Sequence, residues 1–258
     1  AELNDENVDT SLIKKNAKNQ IECLNYLKEK NQELVSVLNE KFSSNAVKKL
    51  VELNFIKLVP IKQNRAKTNV DVAEKKDIVL TERQQQVIKT ISQQKYQPYL
   101  LFGVTGSGKT EVYMNAIKNA LSRGQTAIML VPEISLTPQI LRQFKQRFGD
   151  DVALLHSGLS QSERFDEWFK LYEGKARVVV GARSAIFAPL KNLGIIIIDE
   201  EHDSSYYSES NPRFSTIDVA KFRAKYNNCA LVLGSATPDV ESFYKAQKGE
   251  YQLLEMPE

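Results

Sequence analysis

The stretch from Tyr99 to Thr110, YLLFGVTGSGKT, decides the fold of this 258-residue chain. Its four apolar residues predict a buried strand, and GVTGSGKT matches the phosphate-loop pattern GxxxxGK[ST] just ahead of a helical pattern. The glycines allow backbone N–H groups to turn inward around a phosphate, and the helix N-terminus adds partial positive charge. A plain glycine-rich turn is the alternative, but strand, loop and helix in succession favour a nucleotide site.

Each residue type in this loop has its own expected task. Lys109 is expected to reach the β- and γ-phosphates of a nucleoside triphosphate, and Thr110 offers its hydroxyl to magnesium. The predicted nucleotide-binding residues of the loop are Gly103, Thr105, Gly106, Ser107, Gly108, Lys109, Thr110 and Glu111.

Short, nearly all-apolar runs alternate with helical patterns from about Leu80 onward. After YLLF they are TAIMLV (126–131), VALLH (152–156), RVVVG (177–181), GIIIID (194–199) and CALVLGS (229–235). Strands of this kind are buried on both faces, and helices between them make the sheet parallel. The sequence therefore predicts a doubly wound α/β domain over residues 80–258.

The run GIIIID ends in carboxylates, which a parallel sheet places at the edge that carries the phosphate loop. Asp199 is the expected magnesium ligand beside Thr110, and Glu200 is placed to orient or deprotonate an attacking water. A surface acidic cluster is the alternative. His202 suits either a coupling role or an ordinary hydrogen bond. GSATP (234–238) brings the hydroxyls of Ser235 and Thr237 to the same edge, and the alternative role, an N-cap for the following helix, is compatible with a functional one.

The first part of the chain predicts a separate, basic module. Residues 14–70 hold 12 Lys or Arg against 5 Asp or Glu. Three helical patterns and the strand FIKLVPI (55–61) follow the order of a winged helix with 43–53 as recognition helix; a plain three-helix module is the alternative. We expect Lys48, Lys49, Lys62 and Arg65 to contact duplex DNA, although a solvated lysine-rich surface gives the same composition.

The remaining boundaries and exclusions follow from composition. Residues 1–13 are expected to form a leader with little fixed structure, and residues 71–79 a linker. No apolar run approaches the ~20 residues that span a bilayer. Cys23 and Cys229 stand alone, which argues against a disulfide framework or a zinc site. We expect a cytoplasmic monomer, and the first residues, without Met or signal pattern, suggest an excised fragment.

Several segments together resemble one family, in the right order and spacing. They are GVTGSGKTEVY (103–113), VPEISLTPQ (131–139), LHSGLSQSER (155–164), GARSAIFAP (181–189), DEEHDSSYY (199–207) and GSATP (234–238). This set is similar to the PriA family (primosomal protein N′) of superfamily 2 replication-restart DNA helicases. The resemblance implies a RecA-like P-loop NTPase lobe behind a winged helix, and ATP-dependent 3′ to 5′ unwinding with ATP and Mg²⁺.

The resemblance also implies partners and further site residues. The partners would be forked and single-stranded DNA, primosome proteins and single-stranded-DNA-binding protein, near the bacterial nucleoid. Gln84 would read adenine, and His202 would couple hydrolysis to DNA. The implied DNA-backbone contacts are Pro132, Glu133, Thr137, Arg183 and Ser184. The implied aromatic-rich coupling loop contributes Tyr206, Tyr207, Arg213 and Phe214, for which core packing is the alternative reading.

The chain departs from that family in extent. Full members add a domain that captures the 3′ end of a nascent strand, a second motor lobe with arginine fingers, and a cysteine-rich zinc insertion. One lobe alone is expected to bind nucleotide but hydrolyse it poorly, because an arginine finger can contribute 10³ to 10⁵ in rate. The rival interpretations are another superfamily 2 translocase of recombination or repair, and a non-catalytic module that binds DNA or a partner protein.

Overall fold

The computed structural model describes residues 1–4, 17–58 and 79–256. The chain divides into two compact units, Ala1–Gln63 and Asn64–Glu258, and each is described by itself. Within the described residues, no helix has the length and apolar character that crossing a membrane demands.

The first unit is a small helical module closed by a two-stranded ladder. Its elements are β1 (Glu2–Leu3), α1 (Lys18–Lys30), α2 (Val35–Phe42), α3 (Ser44–Glu52) and β2 (Ile56–Lys57). Ser43 begins α3 by accepting a hydrogen bond from the Ala46 N–H. The helices share a core that contains Leu24, Leu27, Leu38 and Leu50.

Two features of this unit differ from the sequence-based expectation. Residues 1–4 are not an unstructured leader, because Ala1 is buried and β1 pairs antiparallel with β2. Residues 5–13 lie outside the described residues. Within the described part of the expected strand FIKLVPI, Ile56–Lys57 forms the strand, and residues 59–78, with the expected wing and linker, lie outside the described residues. The winged helix and the domain boundaries therefore stay predictions.

The second unit is built around a seven-stranded sheet. Its elements in chain order are α4 (Glu82–Ile91), β3 (Gln97–Gly103), α5 (Lys109–Ser122), β4 (Thr126–Leu130), α6 (Pro138–Phe148), β5 (Val152–Leu155), α7 (Gln161–Tyr172), β6 (Val178–Gly181), β7 (Leu193–Ile198), β8 (Tyr207–Ser208), β9 (Phe214–Ser215), α8 (Thr216–Tyr226), β10 (Ala230–Ser235), α9 (Val240–Gln247) and β11 (Gln252–Met256).

The strands of the large sheet are parallel and run in the order β11-β3-β10-β7-β4-β6-β5. Alternate residues of one strand enter opposite cores: Leu101 packs with the α4, α5 and α6 side, and Leu100 packs with the α7, α8 and α9 side. The predicted doubly wound architecture is confirmed, and β11 is an edge strand that the sequence did not reveal.

Strand order positions the site. β10 lies between β3 and β7, so the phosphate loop after β3 and the acidic segment after β7 flank GSATP at the end of β10. The register aligns Ser235 with Phe102 and Leu233 with Ile198. The three predicted motifs therefore meet at the carboxyl edge of the sheet, as an open α/β fold requires of a ligand site.

Candidate nucleotide-binding site

The phosphate loop is held in shape by its own lysine. Lys109 is buried, and its ammonium group donates to the Gly103 carbonyl at 2.6 Å and to the Val104 carbonyl at 3.3 Å. Gly106 and Gly108 have φ of +89° and +83°, a left-handed conformation that side chains disfavour. The loop is thus closed by its own lysine and leads directly into α5.

A nucleotide and a magnesium ion fit the groups that this loop presents. The Ser107 hydroxyl is buried without a hydrogen-bond partner inside the loop, and a buried polar atom of that kind is costly unless an acceptor arrives. The Thr110 hydroxyl and the Asp199 carboxylate supply the hard oxygen ligands that Mg²⁺ prefers. Lys109 provides the cation that a triphosphate requires.

Gln84 joins the loop to α4. Its side-chain oxygen accepts the Thr81 N–H at 3.0 Å while the Thr81 hydroxyl accepts the Gln84 N–H at 3.2 Å, which makes a capping box. Its amide nitrogen donates to the Ser107 carbonyl at 3.4 Å. A Cβ on Gly108 would approach that nitrogen to 2.3 Å, so the Gln84 side chain would have to move, and the left-handed φ of Gly108 itself favours glycine. The adenine-reading role of Gln84 stays a prediction.

Glu111 joins α5 to α6, and its predicted contact with a nucleotide stays a prediction. Its carboxylate accepts from Arg147 at 2.9 Å and from Asn115 at 2.7 Å, and its backbone N–H donates to Gly108 at 3.0 Å. Because both groups are already paired, Glu111 acts as a bridge between α5 and α6. The signal for this was absent from the sequence, since Arg147 lies 36 residues away.

Two tyrosine hydroxyls hold Asp199. Tyr113, on α5, donates to Asp199 Oδ1 at 2.9 Å, and Tyr206 donates to the Asp199 carbonyl at 2.7 Å. Burial raises the pKa of the Asp199 carboxyl, and the Tyr113 hydrogen bond opposes that rise. Burial and the neighbouring carboxylate raise the pKa of Tyr113 well above its usual range, which keeps it a neutral donor. Sequence reasoning missed Tyr113 because it reads as one more apolar helix position.

The two glutamates after Asp199 differ in burial: Glu200 is partly exposed, and Glu201 is buried. Glu200 adopts a left-handed φ of +46° and remains partly exposed, with a carboxylate oxygen 3.8 Å from His202 Nδ1. Glu201 is buried and accepts from the Asp239 N–H and the Ser242 hydroxyl, each at 2.8 Å. Burial raises the pKa of Glu201, and these two donors oppose the rise. Glu201 therefore anchors α9.

His202 contacts both hydroxyls of GSATP. Its Nδ1 lies 2.8 Å from Ser235 Oγ, and its Nε2 lies 3.4 Å from Thr237 Oγ1. The Thr237 N–H donates to Ser235 Oγ at 2.9 Å. The predicted meeting of the acidic segment and GSATP is therefore a direct side-chain contact, which is the geometry that a coupling role needs.

The segments expected to follow a DNA backbone are surface turns at the same edge. Thr137 caps α6 by accepting the Ile140 N–H, and Pro138 occupies the first helical position. Glu133 and Ser184 are exposed, whereas Pro132 is buried. Arg183 donates to the Tyr207 carbonyl at 2.8 Å and to the Ser205 carbonyl at 3.3 Å, so its guanidinium supports the neighbouring loop.

The aromatic-rich loop corrects one assignment. Tyr206 is buried, with 1% of its surface exposed, and it cannot stack on a base in this conformation. Tyr207 is 51% exposed, and Arg213 is exposed and donates to the Glu209 carbonyl. Phe214 is half-buried and meets Phe187 edge-on. The core-packing alternative is right for Tyr206. Its buried hydroxyl donates a hydrogen bond to the Asp199 carbonyl.

In the first unit, the expected DNA-contacting lysines can be placed only in part. Lys48 and Lys49 are both on the exposed face of α3, and Lys49 pairs with Glu52 at 2.9 Å. Lys62 and Arg65 lie outside the described residues.

Comparison with known proteins decides the family. The model of the DEAD/DEAH box helicases matches residues 81–245, which is more than half of the chain. The chain belongs to the DEAD/DEAH box helicase family. A DEAD/DEAH box helicase unit uses a nucleotide, usually with Mg²⁺, which agrees with the loop and carboxylate geometry.

Within this helicase family, the chain is similar to proteins named replication restart protein PriA. It is 56% identical to the Bacillus subtilis protein over 168 residues, covering 65% of this chain and 21% of that protein. It is 38% identical to the Haemophilus influenzae protein over 247 residues, covering 93% of this chain and 33% of that protein. The predicted resemblance is confirmed, and the chain spans about a fifth to a third of these relatives.

Solved helicase structures share the fold. The DEAD-box helicase Mss116 bound to single-stranded RNA aligns with a TM-score of 0.52 at 16% identity, over 69% of this chain and 40% of that one. RecG bound to a three-way DNA junction aligns with a TM-score of 0.50 at 22% identity, over 94% of this chain and 29% of that one. The predicted RecA-like helicase lobe is thus confirmed at the level of fold.

Proposed function

We propose that the whole protein is an ATP-dependent 3′ to 5′ DNA helicase of replication restart. In this proposal the second unit supplies the ATP-binding half of its motor. The observation that carries the proposal is the convergence of the phosphate loop, the Asp199–His202 segment and GSATP at one sheet edge. Similarity to the PriA proteins supports the replication-restart assignment.

The chain's own residues divide the work of hydrolysis. Lys109 would leave its contacts with the loop carbonyls and donate to the terminal phosphates. Thr110 and Asp199 would hold Mg²⁺, which when bound neutralises charge on the phosphates. Glu200 would orient or deprotonate the attacking water, and its left-handed backbone is the sort of strained conformation found at functional sites.

Coupling to DNA would pass through the hydrogen bonds at the same edge. His202, joined to Ser235 and Thr237, would connect the acidic segment to strand β10. Arg183 holds the backbone on both sides of Tyr206, whose hydroxyl reaches Asp199. A DNA strand bound to Tyr207 and the Thr137 turn would therefore affect the position of Asp199, one of the residues proposed to hold magnesium.

The proposed partners follow from the proposed activity and from the similarity to the PriA proteins. Stacking on Tyr207 is tolerant of base identity, which suits a protein that must act at any forked or single-stranded DNA. Primosome proteins and single-stranded-DNA-binding protein are the protein partners, and the bacterial cytoplasm at the nucleoid is the location. The basic face of α3 would hold duplex DNA.

The test is magnesium-dependent binding of a fluorescent ATP analogue to this chain, with and without forked DNA. Binding should vanish in Lys109→Ala and persist in Glu200→Gln, since only the first loses a phosphate contact. In the intact protein both variants should lose DNA-stimulated hydrolysis. Undiminished turnover in either would refute the assigned roles, and unwinding with no preference for forks would favour a recombination or repair translocase.

A further inference from the structure

The Tyr113 hydroxyl lies where three segments of the site meet. Its side chain extends from α5, one turn after Lys109, and donates to Asp199 Oδ1 at 2.9 Å. The ring is fully buried in the core beneath the sheet edge. A Cβ on Gly234 would come within 1.7 Å of the Tyr113 hydroxyl and 3.4 Å of Asp199 Oδ1. The phosphate-loop helix, the acidic segment and GSATP thus converge on one oxygen atom.

The glycine at 234 is explained by this hydroxyl. Gly234 lies in the regular strand β10, paired with Leu101, and its φ is not left-handed. Its missing side chain is therefore required for space, and the space is taken by the Tyr113 hydroxyl. Phenylalanine would fill the same core volume, so packing alone does not call for the hydroxyl.

The bond restricts the orientation of a carboxylate that has two equivalent oxygens. With Oδ1 held by Tyr113, rotation of the Asp199 carboxyl group would break a buried hydrogen bond, so the carboxylate is kept in one orientation toward a cation. Outer groups that fix a ligand in this way commonly change metal affinity by roughly 10- to 100-fold when they are removed. Tyr113 is on the helix that begins at Lys109, so its hydrogen bond joins α5 directly to Asp199.

We infer that Tyr113 is a positioning residue that fixes Asp199 for magnesium and links the phosphate-loop helix to GSATP through Gly234. This inference rests on the proposed function, since it assigns a task to Asp199 within the same site. It concerns a residue that contacts neither substrate nor metal, so its effect must appear in how Asp199 binds a cation.

The deciding experiment measures Mn²⁺ affinity by electron paramagnetic resonance in the intact protein saturated with a non-hydrolysable ATP analogue. Tyr113→Phe removes only the hydroxyl and should weaken Mn²⁺ binding about tenfold. The Mg²⁺ concentration for half-maximal ATPase should rise by a similar factor, with turnover largely restored at saturating Mg²⁺. Nucleotide affinity without metal should be unchanged.

Tyr99→Phe is the matched control. Tyr99 is equally buried in the same core, and its hydroxyl also donates to one oxygen, the Thr90 carbonyl at 3.1 Å, away from the site. Its loss should leave Mn²⁺ affinity unchanged. Equal Mn²⁺ affinity in Tyr113→Phe and the parent, or equal weakening in both variants, would overturn the inference. A parent protein that binds no metal–nucleotide complex would instead overturn the proposed function.

A second variant tests the close approach of Tyr113 to Gly234. Gly234→Ala should lower the thermal unfolding midpoint, and the loss should be smaller when Tyr113→Phe is also present, because the clashing hydroxyl is then absent. Strictly additive losses would contradict a contact between these positions.

Discussion

His202 and Ser235 are in direct contact across two neighbouring strands, with the imidazole Nδ1 2.8 Å from the serine hydroxyl. Ser235 also accepts the Thr237 N–H at 2.9 Å, so its hydroxyl contacts both the imidazole and the backbone after β10. One buried hydroxyl therefore joins the Asp199–His202 segment to the segment that follows β10. A movement of either segment would therefore change the hydrogen bond between His202 and Ser235.

Removing that hydroxyl should uncouple hydrolysis from DNA. Ser235→Ala in the intact protein is expected to reduce DNA stimulation of the ATPase by roughly 0.5–2 kcal/mol of coupling, about two- to thirty-fold. Affinity for an ATP analogue should be unchanged, because Ser235 is not in the phosphate loop. Steady-state ATPase with and without single-stranded DNA measures this. Ser122→Ala, on the exposed end of α5, should behave as the parent; full stimulation in Ser235→Ala would disprove the role.

Glu201 is expected to matter for stability rather than chemistry. Glu201→Ala leaves the buried Ser242 hydroxyl and the Asp239 N–H without their acceptor, at a cost of about 1–3 kcal/mol. Chemical denaturation of this chain reports the loss. Glu201→Gln, which keeps an acceptor, should lose less, and Glu250→Ala on the surface should lose nothing measurable. Unchanged stability in Glu201→Ala would show that α9 is not anchored by this carboxylate.

The contact between Glu111 and Arg147 should couple α5 to α6. Both side chains are mostly buried, at 13% and 23% exposure, so the pair is better shielded than a surface ion pair. A double-mutant cycle of Glu111→Ala and Arg147→Ala should give an interaction energy of about 0.5–3 kcal/mol in unfolding. The comparison pair Lys145–Asp150, with Asp150 fully exposed, should give close to zero. Additive losses at Glu111 and Arg147 would exclude the bridge.

Substitutions of the two neighbouring tyrosines of the aromatic-rich loop should have different effects on DNA affinity. Tyr207→Ala is expected to weaken single-stranded DNA binding by about 1–3 kcal/mol, the usual value of a base stack. Tyr206→Phe should leave DNA affinity unchanged, because its ring is buried and only its bond to Asp199 is lost. Fluorescence anisotropy with labelled oligonucleotides tests both. Tyr226→Ala, exposed on α8, serves as control, and a large DNA defect in Tyr206→Phe would reinstate it as a contact.

The exposed lysines of α3 lead to a prediction about the salt dependence of duplex DNA affinity. If α3 lies on duplex DNA, Lys48→Ala should reduce the slope of log affinity against log salt by about 0.9. Lys49→Ala should have a smaller effect, since Lys49 is already paired with Glu52. Lys28→Ala, on α1, should not change the slope. An unaltered slope in Lys48→Ala would count against a recognition helix here.

The sequence by itself determined the strands and the loop, because each is specified by neighbouring residues. A strand buried on both faces must be apolar throughout, so six strands of the sheet stand out as runs such as GIIIID, and GVTGSGKT carries its backbone geometry in its own glycines. β11 escaped notice because it is only five residues long and mixes exposed Gln252 and Glu255 with buried Leu254 and Met256. Chain order also sufficed to place the phosphate loop and the carboxylates at one edge.

Only the tertiary structure decided what the buried polar atoms do. Tyr113 meets Asp199 across 86 residues and Glu201 meets Ser242 across 41, so no local pattern encodes either bond. Tyr206 and Tyr207 are adjacent in sequence and alike in composition, yet one enters the core and the other faces solvent. Their fates differ because a buried hydroxyl must find an acceptor, and the nearby Asp199 carbonyl exists as an acceptor only once the sheet is assembled.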